Sequence, residues 1–171
     1  MVNSVALFMK VAGTLPGRGE FSTRQTALQI GLILEEVAEL LYTLPPETQT
    51  ERGLAYQLDV AGNAFKSGVY DVPVSKANKL EMLDAFVDIR YVATGGGLAM
   101  GSDMQGACAE VAQNNLSKFP PCTACSGKGF IGELNKPCKN CSGFGLVSLK
   151  DPNGKVIKRE GYQKVDLTSY V

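Results

Sequence analysis

The sequence predicts an all-α domain carrying a small cysteine-rich insertion, and three observations lead there. Apolar residues recur at helical spacing through five segments that end at about residue 119. Pro, Gly and capping residues fall between these segments and divide them into separate helices. Residues 120–150 then break the pattern with two cysteine- and glycine-rich repeats.

The elements follow in order. "SVALFMKVAG" reads as a short helix with Val5, Phe8, Met9 and Ala12 on one face, stopped by Gly13. "TLPGRGEF" is a loop. Ser22 or Thr23 is placed to cap a long helix running to about Leu44, where two prolines end it. "ETQTERGLAYQLDVAGNAFKSG" is a third helix weakened by Gly53 and Gly62. "VYDVPVS" connects it to a fourth, capped by Ser75, which spans residues 76–101. Three consecutive glycines, Gly95 to Gly97, predict either a break in that helix or the close approach of another backbone. A last helix, capped by Ser102 or Asp103, runs to about Phe119. The expected domains are a helical body over 1–119, a metal-binding insertion over 120–147, and a closing segment over 148–171 that completes the body.

Composition narrows the function. Of 171 residues, 44% are hydrophobic, enough for a packed core. The 17 basic and 17 acidic side chains cancel, which argues against a wholesale nucleic-acid coat or a polybasic membrane binder. Residues 1–119 carry 9 basic and 13 acidic groups, whereas residues 120–171 carry 8 and 4, so an acidic body precedes a basic tail. No apolar run is long enough to span a bilayer and no basic leader precedes the first helix, so a cytoplasmic protein is expected. The chain has no histidine. Catalysis therefore falls to carboxylates, Lys, Tyr, Cys or a bound metal.

The carboxylates are arranged unusually. "GLILEEVAELLYTL" places Glu35, Glu36 and Glu39 on an otherwise apolar helix, and "LEMLDAFVDIRY" places Glu81, Asp84 and Asp88 along one face of another. Facing each other, such stripes would repel, and a divalent cation removes the repulsion. Oxygen ligands in this number suit Mg²⁺ or Mn²⁺. The plainer alternative is two solvent-facing acidic faces of a helical bundle, although a solvated face would carry more Lys and Gln.

"EEVAE" followed by "EMLD" resembles the EExxE…ExxD signature of MazG-like all-α nucleoside triphosphate pyrophosphohydrolases. The likeness extends to "DIRYVATGGGLAMGSD", "EVAQNNLSKF" and "NGKVIKREGYQKVDL". It implies a MazG-like helical bundle that hydrolyses nucleoside triphosphates to the monophosphate and pyrophosphate with two or more Mg²⁺ or Mn²⁺ ions. Carried over by position, Glu36, Glu39, Glu81 and Asp84 are expected metal ligands, with Glu35 and Asp88 behind the ligands or on a further ion. Glu35 or Glu39, whichever is not fully used by metal, is the expected base that orients or deprotonates the attacking water. Lys118 resembles the family's phosphate-contacting lysine, with Asn115 beside it, and Lys155 and Lys158 are further candidates. The 41 residues between the motifs exceed the family's usual gap, leaving residues 47–76 without an assigned role. The likeness is strongest to phage-encoded members, in the host cytoplasm, and implies a purine preference, dGTP or GTP over pyrimidine triphosphates. Asn3, Ser4, the loop 13–24, Phe8 and Phe21 are candidates for a base pocket. The resemblance also implies a homodimer or homotetramer.

"CTACSGKG" and "CKNCSGFG" form C-x₂-C-x₁₂-C-x₂-C, with Cys122, Cys125, Cys138 and Cys141 as four thiolates for one structural Zn²⁺. The repeats are similar to those of the cysteine-rich domain of J-protein co-chaperones. Disulfides are the alternative, disfavoured in a reducing cytosol. Cys108 reads as a small buried helix residue. The insertion carries Lys128, Lys136, Lys139 and Lys150 against Glu133, a weak footprint for nucleic acid. The competing function is a zinc-bearing nucleic-acid or protein-binding module on a non-catalytic scaffold. All four expected ligand carboxylates are intact, which favours the enzyme.

Overall fold

A computed structural model describes residues 2–45, 49–69, 76–132, 134–152 and 155–171. Five helices dominate it: α1 (Val2–Val11), α2 (Thr23–Tyr42), α3 (Gln49–Ser67), α4 (Lys79–Ala99) and α5 (Met104–Leu116). A two-stranded antiparallel ladder, β1 (Phe130–Ile131) with β2 (Lys136–Pro137), is the one sheet among the described residues. The expected all-α class with a small insertion is what forms. The Ser75 cap expected for the fourth helix lies outside the described residues. Among the described residues no helix is long and apolar enough to cross a membrane.

The chain forms two compact units, Pro16–Asn78 and a second one assembled from Met1–Leu15 and Lys79–Val171. In Pro16–Asn78, α2 and α3 pack as a pair. Ser22 starts α2 by accepting a hydrogen bond from the Gln25 N–H at 3.3 Å, which satisfies one of the helix's unpaired first-turn donors. Leu28, Gly31 and Ala38 are the buried stripe of α2, and they face Ala55, Gly62 and Lys66 as the buried positions of α3.

Small residues set how close the two helices come. A Cβ on Gly31 would stand 2.7 Å from the Gly62 carbonyl oxygen, and one on Gly62 would stand 2.9 Å from the Gly31 oxygen. Gly62, which propensity alone marks as a weak point, is thus where backbone meets backbone. At Gly53 an added Cβ meets no described atom within 4 Å. Gly31→Ala and Gly62→Ala are therefore expected to destabilise the protein by about 1–3 kcal/mol through overpacking. Gly53→Ala should stabilise it by about 0.5–1 kcal/mol, the usual gain in a helix interior. Thermal melts of the three variants check the contrast, since all three share the same propensity gain and differ only in contact.

The second unit has its core at the α1–α5 junction. Ala12 and Phe119 are each 2% exposed, and the Phe8 ring packs on Phe119 with centroids 4.8 Å apart. Phe8, half-buried, thus contributes one ring face to this core. Helix α4 runs unbroken through Gly95 to Gly97, contrary to either expectation for that run. The reason lies at Gly97, where a Cβ would sit 2.0 Å from Met104 Sδ. The glycine makes room for a side chain from α5, not for another backbone. Asp103 then caps α5 by accepting from the Gly106 N–H at 3.0 Å.

The C-terminal segment is tied to α5 along its length. Asp103 N–H donates to the Tyr170 carbonyl at 2.9 Å, and the Tyr170 ring lies where a Gly106 Cβ would be. The short 3₁₀ turn Thr168–Tyr170 is braced by Thr168, whose hydroxyl and N–H both donate to Asp166 and hold its carboxyl below the usual range. Farther back, Arg159 N–H donates to the Lys118 carbonyl at 3.1 Å and its guanidinium Nε to the Ser117 carbonyl at 2.7 Å.

Candidate active site and metal centre

The two expected carboxylate groups lie on α2 and α4. On α2, Glu36 and Glu39 are exposed, whereas Glu35 sits on the buried side of the helix. Its Oε1 lies 2.8 Å from Lys66 Nζ of α3. On α4, Glu81, Asp84 and Asp88 are all exposed, and Glu81 is in the first turn, where the helix dipole favours a negative charge. Positions 81, 84 and 88 are three and four apart, so one face of α4 presents all three. The chemistry of this donor set is hard oxygen throughout, which fits Mg²⁺ or Mn²⁺ rather than a softer ion.

Helix α4 has a second peculiarity: none of its residues is buried. Leu80, Tyr91 and Val92 are 76%, 80% and 70% exposed, although a helix this apolar normally hides one face.

Around the end of α5, the structure gathers most of the expected phosphate group. Lys118 Nζ donates to Asn115 Oδ1 at 2.5 Å. The Lys118 and Lys158 ammonium groups lie 5.9 Å and 5.2 Å from the centroid of the Tyr162 ring, within cation–π range. Tyr162 itself donates its hydroxyl to Asn114 Oδ1, and Asn114 Nδ2 donates to the Gln163 carbonyl at 3.0 Å. The fourth expected residue, Lys155, donates its N–H to Asp151 Oδ1 at 2.9 Å. Tyr162 and Arg159 escape the sequence reading. Their one signal is an aromatic residue within the basic run "KVIKREGYQK".

The cysteine module is built on an approximate twofold repeat. Each half turns through a left-handed serine, Ser126 and Ser142 at φ 50°, followed by glycines at positive φ. The Gly129 N–H donates to Cys125 Sγ and the Gly145 N–H to Cys141 Sγ, each at 3.2 Å. Across the two halves, Cys122 N–H donates to the Gly145 carbonyl and Cys138 N–H to the Gly129 carbonyl, each at 2.8 Å. Close backbone approach makes the glycines necessary, since a Cβ on Gly129 would sit 2.4 Å from the Gly143 oxygen. Cys108, half-buried on α5, is not part of the cluster.

The four module cysteines are free thiols, not disulfides. Their sulfurs all lie within 4.8 Å of one another, with Cys122–Cys138 at 4.0 Å and Cys125–Cys141 at 3.8 Å. A tetrahedron with metal–sulfur bonds of about 2.3 Å has edges of about 3.8 Å, so the cluster fits a four-coordinate thiolate site. Asn140 Nδ2 donates to Cys122 Sγ at 3.3 Å and brings that thiol down to about 6, while burial pushes Cys125 up to about 11. Among the described residues the buried side chains of the module are those four cysteines, with Val147 packed against them. The arrangement can hold a metal ion such as zinc.

The sequence profile of phosphoribosyl-ATP pyrophosphohydrolase matches residues 17–115, more than half of the chain. The chain belongs to the phosphoribosyl-ATP pyrophosphohydrolase family. The matched stretch takes in α2, α3, α4 and nearly all of α5, and so both carboxylate groups. It ends before the cysteine module and the C-terminal segment, which are additions to what the phosphoribosyl-ATP pyrophosphohydrolase profile describes. No curated protein and no solved structure matches the chain. Membership in the phosphoribosyl-ATP pyrophosphohydrolase family makes the protein a pyrophosphohydrolase, acting on the phosphoanhydride bonds of a nucleotide triphosphate.

Proposed function

We propose that the protein hydrolyses nucleoside and deoxynucleoside triphosphates to the monophosphate and pyrophosphate, dependent on Mg²⁺ or Mn²⁺. The observation that carries this is the coincidence of the family match with both carboxylate helices, each with its full set of acids. Glu36, Glu39, Glu81, Asp84 and Asp88 would hold the divalent ions, which supply charge neutralisation on the triphosphate and lower the pKa of a bound water. Glu35 or Glu39 orients the water for attack at the α-phosphorus. The bond from that phosphorus to the α–β bridging oxygen breaks, and pyrophosphate leaves. Lys118 and Lys158, beside Asn115 and Tyr162, are the cations suited to the departing anion, with Lys155 a further candidate.

Purine triphosphates, dGTP first, are the proposed substrates, on the likeness to phage-encoded enzymes. Phosphoribosyl-ATP, the substrate for which the family is described, is the competitor. Pyrophosphate release from the four dNTPs, the four NTPs and phosphoribosyl-ATP under identical Mn²⁺ decides between them. A kcat/KM for dGTP above that for dCTP and dTTP is expected. A pyrimidine preference would overturn the substrate assignment and leave the reaction class standing, while an absence of pyrophosphate from every substrate would overturn both.

The protein is further proposed to be a homodimer or homotetramer in which a second copy covers the apolar side of α4. Exposed Leu80, Leu83, Val87, Tyr91 and Val92 on one helix are the support, together with the assembly that the MazG-like resemblance implies. Light scattering at micromolar concentration should show a symmetric oligomer, and a monomer would refute it. The cysteine module is proposed to hold one structural Zn²⁺.

A further inference from the structure

Lys66 is the one buried charged residue among the described residues, 8% exposed, and the proposed chemistry leaves it without a task. A lysine is seldom buried without a specific partner, because its ammonium loses hydration and its long stem loses rotamer freedom. Here the partner is Glu35, the first carboxylate of the α2 group, with Nζ 2.8 Å from Oε1. The glycine crossing explains how the contact is reached. The Lys66 Cγ lies 2.8 Å from where a Gly31 Cβ would be, so the stem crosses α2 where α2 has no side chain. The backbone of Lys66 is held as well, since Arg24 Nη2 of α2 donates to its carbonyl at 2.7 Å. Both the base and the tip of this side chain are thus fixed to α2.

The pair divides the three acids of α2 into two kinds. Glu36 and Glu39 are exposed, whereas the Glu35 side chain is 23% exposed and already shares an oxygen with an ammonium. A neighbouring positive charge disfavours a divalent ion on Glu35 and leaves that ion to Glu36 and Glu39. We infer that Lys66 is a positioning residue that holds Glu35 out of the metal-ligand set and in the orientation needed to align the attacking water. The inference rests on the pyrophosphohydrolase reading, and it gives part of the long segment between the two motifs a role: α3 supplies the counter-charge.

The test is pyrophosphate release from dGTP and ATP with Mn²⁺ by the full-length wild type, Lys66→Met, Lys66→Arg, Glu35→Gln and the double variant Lys66→Met/Glu35→Gln. Loss of alignment without loss of substrate contact should lower kcat of Lys66→Met by about 100-fold while KM stays within about threefold. Lys66→Arg, which keeps a cation that can reach Glu35, should recover at least half of that loss on a logarithmic scale. The double variant should be no slower than Glu35→Gln alone, because Lys66 acts only through Glu35. A Lys66→Met enzyme with wild-type kcat, or a double variant whose two losses simply multiply, would overturn the role. If Lys66→Met fails to fold, the double variant and Lys66→Arg decide: a folded double variant matching Glu35→Gln with an active Arg variant supports the role, and any other result overturns it. A wild type that cleaves neither triphosphate strikes the functional reading itself, whereas an active wild type with indifferent variants strikes Lys66 alone.

Discussion

Replacing Glu39 by Gln, or Asp84 by Asn, is expected to abolish pyrophosphate release while leaving the helical content unchanged. Each substitution keeps the shape of the side chain and removes one anionic oxygen ligand. Stabilisation of the triphosphate's charge by a divalent ion is worth several kcal/mol at the transition state, and each loss of about 1.4 kcal/mol is tenfold in rate. A fall in kcat of about 10³-fold or more follows if the ion is misplaced. Stability should respond in the opposite proportion. Glu39 and Asp84 are exposed, and exposed substitutions without special partners usually change stability by less than about 0.5 kcal/mol. In metal-free protein the change should be towards greater stability, because one charge of a like-charged group is removed. Combining the two substitutions should cost little beyond either alone, since they disable one shared unit. Rates with Mn²⁺, with circular dichroism of the same samples, are the measurement, and wild-type kcat in either variant would remove the assignment of these carboxylates.

Cys138→Ser should release the metal and unfold the module while sparing the helices. The purified protein is expected to contain about one zinc per chain by elemental analysis, since a tetrahedral thiolate set binds one ion. The physical basis is that, among the described residues, the module buries no side chain other than the four cysteines. Its buried interior is Cys122, Cys125, Cys138 and Cys141, with Val147 against them, and its ladder is only two residues a side. Structural zinc sites of this kind supply about 10–16 kcal/mol of apparent binding energy, which here is the folding energy of the segment. Protection of backbone amides such as those of Gly129 and Gly145 should vanish in Cys138→Ser, and chelation of the wild type should reproduce the effect. Cys108→Ser, outside the cluster, should keep its zinc. Unchanged zinc in Cys138→Ser, or a zinc-free wild type with two disulfides, would contradict the site.

The sequence by itself determined the features whose physics is local. Ser22 and Asp103 could be recognised as caps because a side-chain oxygen three residues before an unpaired N–H depends on nothing beyond that turn. The paired C-x-x-C-x-G-x-G repeats announced a thiolate cluster for the same reason, each repeat carrying its own turn and its own sulfur-directed N–H groups. The grouping of acids on α2 and on α4 is a matter of helical period, and it too was legible residue by residue.

What only the tertiary structure decided is what happens between elements distant in sequence. Propensity counts Gly62 and Gly97 as weak points, but their value is set by what crosses them, the Gly31 backbone in one case and the Met104 side chain in the other. Lys66 is one lysine among many in the sequence. Burial against α2 makes it the partner of Glu35. Tyr162 likewise acquires its meaning from the return of the C-terminal segment to α5, which sets its ring beside Lys118 and Lys158. The reason is common to all four: a helical period fixes which residues share a face, whereas which faces meet is decided by the packing of the whole chain, and no local pattern encodes it.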